Sequence, residues 1–194
     1  MDKLTREDLM TLEEYAKKRP EFRANVLQHK KPRKLLLGEH AALYFEDRLT
    51  MQYQIQEMLR VERIFEEQGI MDELNAYNPL IPDGSNLKAT FMIEYSDPDV
   101  RKRELEKMIG IEDKVWVKVD GFDKVYAIAD EDLDRENEEK TSSVHFLRFE
   151  FDPDMVQSAK QGKGLSVGID HPAYNVALEQ IPTESQQALV ADFD

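Results

Sequence analysis

The chain has 194 residues, enough to bury a core without disulfide bridges, and its 26 Lys and Arg against 40 Asp and Glu give a net charge of −14. A field of that sign repels nucleic acids and anionic membranes, so we expect neither as a partner. The absence of cysteine excludes disulfides, thiolate-bound metal and cysteine-ligated iron–sulfur clusters on this chain.

The N-terminal region is expected to be helical. Thr5 is suited to cap a helix that runs to about Arg19 and ends at Pro20. The basic run HKKPRK at residues 29–34 contains Pro32 and is predicted to be a solvated linker, with a phosphate-binding patch as the alternative. No secretory signal pattern opens the chain, and no apolar run approaches the roughly 20 residues that cross a bilayer. We therefore expect a cytoplasmic protein.

Residues 39–68 contain neither Pro nor Gly and predict one helix of about 45 Å. Its apolar side chains, such as Met51 and Met58, recur at helical spacing but spread around more than one face. Because this rod is longer than a compact domain of this size is wide, we predict a homodimer. A second row at the same spacing is polar and is predicted to hold the function: Glu46, Thr50, Tyr53, Glu57 and Arg60.

The second half of the chain has the alternating pattern of strands. We predict one α+β domain over residues 1–194, in which a helical half (1–78) lies on a mostly antiparallel sheet of five or six strands. The sheet half (87–194) is expected to carry two to three helices. Two loosely joined domains divided in the loop at 78–86 are the alternative. The strands are expected at 89–95, 143–151, 165–169 and 174–179, with a hairpin over 114–130 that turns at Asp120-Gly121.

His145 shares one face of its predicted strand with Leu147 and Phe149, so it is expected to point into the core under the long helix. A buried imidazole needs a polar partner, because an unpaired buried donor costs about 1–3 kcal/mol. We predict Glu57 as that partner, then Glu46, with Gln54 able to help. A backbone carbonyl is the alternative.

Two further segments carry residues typical of metal sites. Residues 130–139 contain seven acids, but the spacing fails the EF-hand pattern and predicts a solvated loop. Asp170 and His171 offer metal-ligand chemistry near Ser166, without the nucleophile elbow of a hydrolase. The candidate metal ligands are therefore His145, Asp170 and His171. Because no Walker A, dinucleotide-binding or His-Glu-x-x-His motif occurs, no cofactor is indicated.

Several stretches together resemble a bacterial family classed as a domain of unknown function. They are LTREDLMTLEEYAKKRPEFR, FEDRLTMQYQIQEMLRVERIF, GIEDKVWVKV, SSVHFLRFEF and VGIDHPAY, which between them cover nearly the whole chain. Members of that family are often encoded beside rubrerythrin and a heterodisulfide-reductase-like iron–sulfur protein, so the resemblance implies a role near peroxide or electron-transfer chemistry. Its matching stretches include Glu46, Arg48, Gln54, Glu57, Arg60, His145, Arg148, Asp170 and His171.

Two function classes follow. The first is an accessory protein that docks on a redox partner through its acidic surface, which the charge and the absence of cofactor motifs favour. The second is an enzyme or ligand-binding protein with a pocket of carboxylate and His side chains that holds a divalent metal. Its candidate polar residues are Glu46, Arg48, Gln54, Glu57, Arg60, His145 and Arg148.

Overall fold

The computed structural model describes residues 2–131 and 140–194 and confirms the α+β class. No helix in these two ranges is long and apolar enough to cross a membrane. The described helices are α1 (Leu12–Lys30), α2 (Arg48–Glu62), α3 (Glu67–Tyr77), α4 (Pro98–Lys107), α5 (Pro153–Lys160) and α6 (Thr183–Val190).

Antiparallel pairing is also confirmed, and the strands divide between two sheets. The first has the order β1-β2-β3-β7-β6, and the second has the order β5-β4-β8-β9. The chain passes from one sheet to the other at Ala127, whose N–H donates to the carbonyl of Val115 at 2.9 Å. The strands are β1 (Lys34–Leu37), β2 (Ala41–Glu46), β3 (Asn86–Ile93), β4 (Val115–Val119), β5 (Val125–Tyr126), β6 (Ile128–Ala129), β7 (Val144–Glu150), β8 (Leu165–His171) and β9 (Tyr174–Leu178).

Two separate apolar cores hold the protein together. The larger core joins alternate side chains of both sheets, such as Phe91 of β3 and Val117 of β4, to residues of α4, α5 and α6. The smaller core joins α2 and α3 through Ile55 and Leu74, with Leu4 packed against them. Each fully buried side chain of this kind contributes about 1.5–3 kcal/mol. The single-domain organisation stays a prediction.

The prediction of one helix over residues 39–68 is wrong. Residues 41–46 form a strand between β1 and β3 because Ala41, Leu43 and Phe45 alternate into the larger core. Asp47 then caps α2, accepting from the backbone N–H of Thr50 at 2.9 Å. The helix ends before residue 63, so the homodimer loses the reason given for it and stays a prediction.

The first helix also differs from its predicted bounds. Thr5 caps only a short 3-10 turn, whereas Thr11 caps α1, which continues through Pro20 to residue 30. Because Pro20 is exposed, water can replace the hydrogen bond that its missing N–H would have made.

The basic run at residues 29–34 was predicted to be a solvated linker, and that prediction is wrong at its centre. Arg33 is 4% exposed and lies within 3.0 Å of carboxylate oxygens of both Asp47 and Asp192. His29 reaches the same carboxylate of Asp47 at 2.5 Å. Burial raises the pKa of Asp192, although the Arg33 guanidinium opposes this rise. One guanidinium therefore ties together the start of β1, the cap of α2 and the chain after α6.

Replacing Arg33 with leucine leaves two carboxylates buried without their cation. We expect Arg33→Leu to lower the free energy of unfolding by about 3–5 kcal/mol, measured by urea denaturation. Arg23→Leu is the matched control, since Arg23 is exposed on α1, and it should change stability by less than about 0.5 kcal/mol. Equal effects of the two substitutions would contradict this account of Arg33.

Candidate functional site

His145 lies near the start of β7 with its imidazole fully buried on the face that meets the larger core. Its Cα neighbour across the sheet is Phe91, whose ring centroid lies 6.2 Å from that of the imidazole. The prediction that His145 points into a core is confirmed, but this core does not lie under the helix of residues 48–62, which packs elsewhere. A functional role for His145 stays a prediction.

The carboxylate partners of His145 are not the predicted ones, although the alternative partner, a backbone carbonyl, is present at Ser142, 3.0 Å from Nε2. Its Nδ1 lies 2.5 Å from Oδ2 of Asp130, and its Nε2 lies 3.7 Å from Oε2 of Glu112. A carboxylate partner was therefore correct in kind, but Glu57, Glu46 and Gln54 were the wrong residues. The physical reason is that α2 packs in the smaller core, away from the inner face of β7.

Three segments far apart in sequence bring these groups together. Glu112 lies in a 3-10 turn after α4 and is 6% exposed. Asp130 follows β6 and is held on β7, because its Oδ1 accepts from the N–H of Phe146 at 2.9 Å and its own N–H donates to the Phe146 carbonyl at 2.8 Å. Thr141 is 1% exposed and donates its hydroxyl to Glu112 at 3.1 Å. We call Glu112, Asp130, Thr141 and His145 the His145 centre.

Both ring nitrogens of the His145 imidazole have polar contacts in the His145 centre. Nε2 lies 3.0 Å from both the Thr141 hydroxyl oxygen and the Ser142 carbonyl. Because the Thr141 hydroxyl already donates to Glu112, it accepts from Nε2. Nδ1 faces the carboxylate of Asp130 at 2.5 Å. The imidazole is therefore held on one side by Asp130 and on the other by the Thr141 hydroxyl and the Ser142 carbonyl.

The side chains of the His145 centre are also candidate ligands for a metal ion. One ligand atom from each of Glu112, Asp130 and His145 can be chosen so that all lie within 4.8 Å of one another. Two ligands on one ion with bonds of about 2.0–2.2 Å are at most about 4.4 Å apart. Around a tetrahedral ion neighbouring ligand atoms lie about 3.3–3.6 Å apart, so binding needs side-chain movements of up to about 1 Å, including a wider separation of His145 from Asp130.

The residues predicted on the long helix do not converge on His145. Glu46 lies on β2 and accepts from the Thr90 hydroxyl at 2.8 Å, while Arg48 pairs with Asp8 at 2.6 Å. Gln54 is half-buried on α2. Arg148 lies three residues after His145 on β7 and on the opposite face, where it pairs with Glu131.

Glu57 and Arg60 belong to a cluster between α1 and α2. Glu57 accepts from Arg19 at 2.7 and 3.0 Å, from the Tyr15 hydroxyl at 2.6 Å and from Arg60 at 3.1 Å. The Arg19 guanidinium is the main cause that lowers the pKa of Glu57 to about 2. These contacts join two helices, and they place no group near His145.

Asp170 and His171 lie apart from the His145 centre. Asp170 accepts from Lys124 and from the Tyr126 hydroxyl, both at 2.7 Å, and the Lys124 contact is the main cause that lowers its pKa. His171 faces the Ile109 carbonyl with Nε2 and accepts from the N–H of residue 173 with Nδ1, each at 3.1 Å. Main-chain groups thus occupy both nitrogens of His171, which ends β8 before the turn to β9.

Sequence reasoning missed Glu112, Asp130 and Thr141. Asp130 begins the acidic stretch tested as a calcium loop, most of which (132–139) lies outside the described residues. Glu112 comes two residues after Gly110, whose backbone is left-handed with φ of 78°. The position of Asp130 follows from the pairing of β6 with β7. Ala129 lies opposite Leu147, so residue 130 comes close to His145.

Comparisons with known proteins place the whole chain in one group. Residues 3–193 match a family described as a protein of unknown function, DUF3501. A crystal structure titled as a novel protein of unknown function from Burkholderia pseudomallei K96243 is 51% identical, with a TM-score of 0.95 and full coverage of both chains. No curated protein matches the sequence.

The Glu57 cluster gives a pH-dependent prediction. Because the folded pKa of Glu57 lies below its ordinary value of 4.5, its stabilisation is present above about pH 4.5 and is lost as the pH falls towards 2. Glu57→Gln should lower the free energy of unfolding by about 1.5–3 kcal/mol at pH 7, the range for hydrogen bonds to charged groups.

Urea denaturation at pH 7 and at pH 3 checks this prediction, and the difference between wild type and Glu57→Gln should shrink at pH 3. Glu21→Gln is the control, because Glu21 is exposed on α1. A difference that stays constant between the two pH values would contradict the role of the ionised carboxylate.

Proposed function

Because the chain belongs to the DUF3501 family of proteins of unknown function, the site itself must supply the argument, and we propose that the protein binds one divalent metal ion at Glu112, Asp130 and His145. The single observation behind the proposal is the convergence of three ligand side chains from three separate segments. Two of them, Glu112 and His145, are at least nine-tenths buried. Buried ionisable groups are costly unless they are paired or coordinate a metal.

The ligand chemistry restricts which ion the centre would take. Glu112 and Asp130 supply carboxylate oxygens, His145 supplies one imidazole nitrogen, and the Thr141 hydroxyl and the Ser142 carbonyl add neutral oxygens beside it. Imidazole together with carboxylates suits Mn²⁺, Fe²⁺ or Zn²⁺, whereas soft ions such as Cu⁺ require thiolate or thioether ligands. Metal ligands must be deprotonated, so the affinity of the centre for its ion should fall at acidic pH.

The surrounding bonds would support such a centre as outer contacts. Metal-bound carboxylates are held by further hydrogen bonds that orient them. Asp130 has such a contact from the N–H of Phe146 through its other oxygen, and Glu112 has one from the Thr141 hydroxyl. The N–H contact leaves Oδ2 of Asp130 directed at His145, so the ligands are already oriented.

A second candidate function is docking on a basic protein partner. The net charge of −14 supports it, as do two apolar side chains at the α2–α3 connection, Phe65 at 74% and Val61 at 59% exposure. Acidic residues at positions 62, 66 and 67 flank them and outnumber the two arginines at 60 and 63. The redox partner implied by the resemblance would bind there through charge complementarity.

Metal analysis tests the first proposal. We expect the protein purified without added metal, then dialysed against Mn²⁺, Fe²⁺ or Zn²⁺ and freed of excess ion, to retain one ion per chain by elemental analysis. His145→Gln and Glu112→Gln should retain almost none, because each removes a ligand.

The control is the double variant Asp170→Asn with His171→Gln, which alters the other predicted ligands and should bind like wild type. Circular dichroism on each variant separates lost metal from lost folding. Wild-type protein that retains no ion, or a His145→Gln variant that is folded and fully loaded, would refute the proposal.

A further inference from the structure

A cavity lies on the opposite side of β7 from the His145 centre. It has a volume of about 440 Å³ and lies between the end of α3 and the outer face of the five-stranded sheet. Small-molecule sites usually measure about 300–1,000 Å³ and are mostly apolar with a few placed polar groups. Here the apolar walls come from Ala76, Tyr77, Leu80 and Phe146.

Two cations lie side by side in this apolar cavity. Lys88 of β3 and Arg148 of β7 are direct neighbours across the sheet, and both line the cavity. The Lys88 ammonium donates to the carbonyl of Pro79. Burial is the main cause that lowers the pKa of Lys88, and the positive charge of Arg148 adds to the effect. An anion placed between these side chains would relieve their repulsion.

Arg148 already holds a carboxylate at the edge of the cavity. Its Nε and Nη2 donate to the two oxygens of Glu131 at 2.9 and 2.8 Å, and its Nη1 donates to Glu150 at 2.5 Å. The first pair has the two-pronged geometry by which arginine recognises carboxylates. The Glu131 side chain is 54% exposed, and exposed ion pairs contribute only about 0–1 kcal/mol. A competing carboxylate must displace this two-pronged pair, which is stronger than an ordinary exposed ion pair, and the exposure of Glu131 lets that exchange occur at the cavity edge.

We propose that this cavity binds an organic monocarboxylate with an apolar chain or ring. Its carboxylate takes the place of Glu131 on Arg148 and lies near Lys88, and its apolar part packs between Leu80, Tyr77 and Phe146. The site is separate from the proposed metal centre, because His145 projects to the inner face of β7 and Arg148 to the outer face.

Octanoate is the probe, titrated by NMR or calorimetry into the full-length, metal-free protein. Octanamide has the same chain without the charge and should bind at least about tenfold more weakly, equivalent to about 1.4 kcal/mol. Arg148→Gln should weaken octanoate binding by a similar factor. Glu131→Gln should strengthen it, because the internal competitor for Arg148 has lost its charge. These opposite signs are specific to the proposed exchange of carboxylates.

Two further variants complete the experiment. Ala76→Trp fills the cavity from an exposed helix position that tolerates a larger side chain, and it should abolish binding. Arg101→Gln, an exposed arginine outside the cavity lining, should bind octanoate like wild type. Failure of octanoate to bind either wild type or Glu131→Gln would overturn the proposal. Undiminished binding to Ala76→Trp would overturn it as well.

Discussion

The buried guanidinium of Arg33 joins parts of the chain that otherwise pack in separate cores. The strands and α4 to α6 form the larger core, whereas α2 and α3 form the smaller one. Arg33 contacts Asp47, which caps α2, and Asp192, which follows α6. Removing charges from water costs several kcal/mol per ion unless each finds a partner, so these groups must stay together. The position of the helices on the sheets depends on this requirement.

A related requirement shapes the His145 centre, where a buried imidazole needs polar partners and lies against Asp130 and Glu112. Asp130 and Glu131 follow each other in the chain and contact opposite faces of β7, the first at His145 and the second at Arg148. Asp130 adopts a left-handed conformation with φ of 47°, which aspartate tolerates better than most residues. An ion that fixes Asp130 would therefore also restrain Glu131 at the edge of the outer cavity.

The sequence predicted strands where alternation, or Val and Ile beside glycine turns, marked them, and the second signal found β4 and β8 although both faces of these strands are buried. Alternation in β7 identified the strand and the inward direction of His145. It failed for β2, because this central strand is buried on both faces and its residues Ala42 and Glu46 gave no alternation against a strong helical composition. The partners of His145 were missed because they lie in turns, and strand pairing rather than local pattern brings turns to a site. The basic run failed for a related reason, since its charge gave no sign that Arg33 is buried against two distant carboxylates.

A crystal grown with Zn²⁺ tests directly whether the His145 centre binds a metal ion, as we propose. Anomalous diffraction at the zinc absorption edge locates the ion without assumptions about its ligands. We predict one strong peak at about 2.0–2.2 Å from a nitrogen of His145 and from carboxylate oxygens of Glu112 and Asp130. Peaks confined to exposed carboxylates would contradict the claim if the imidazole still donated to Asp130 and to the Ser142 carbonyl.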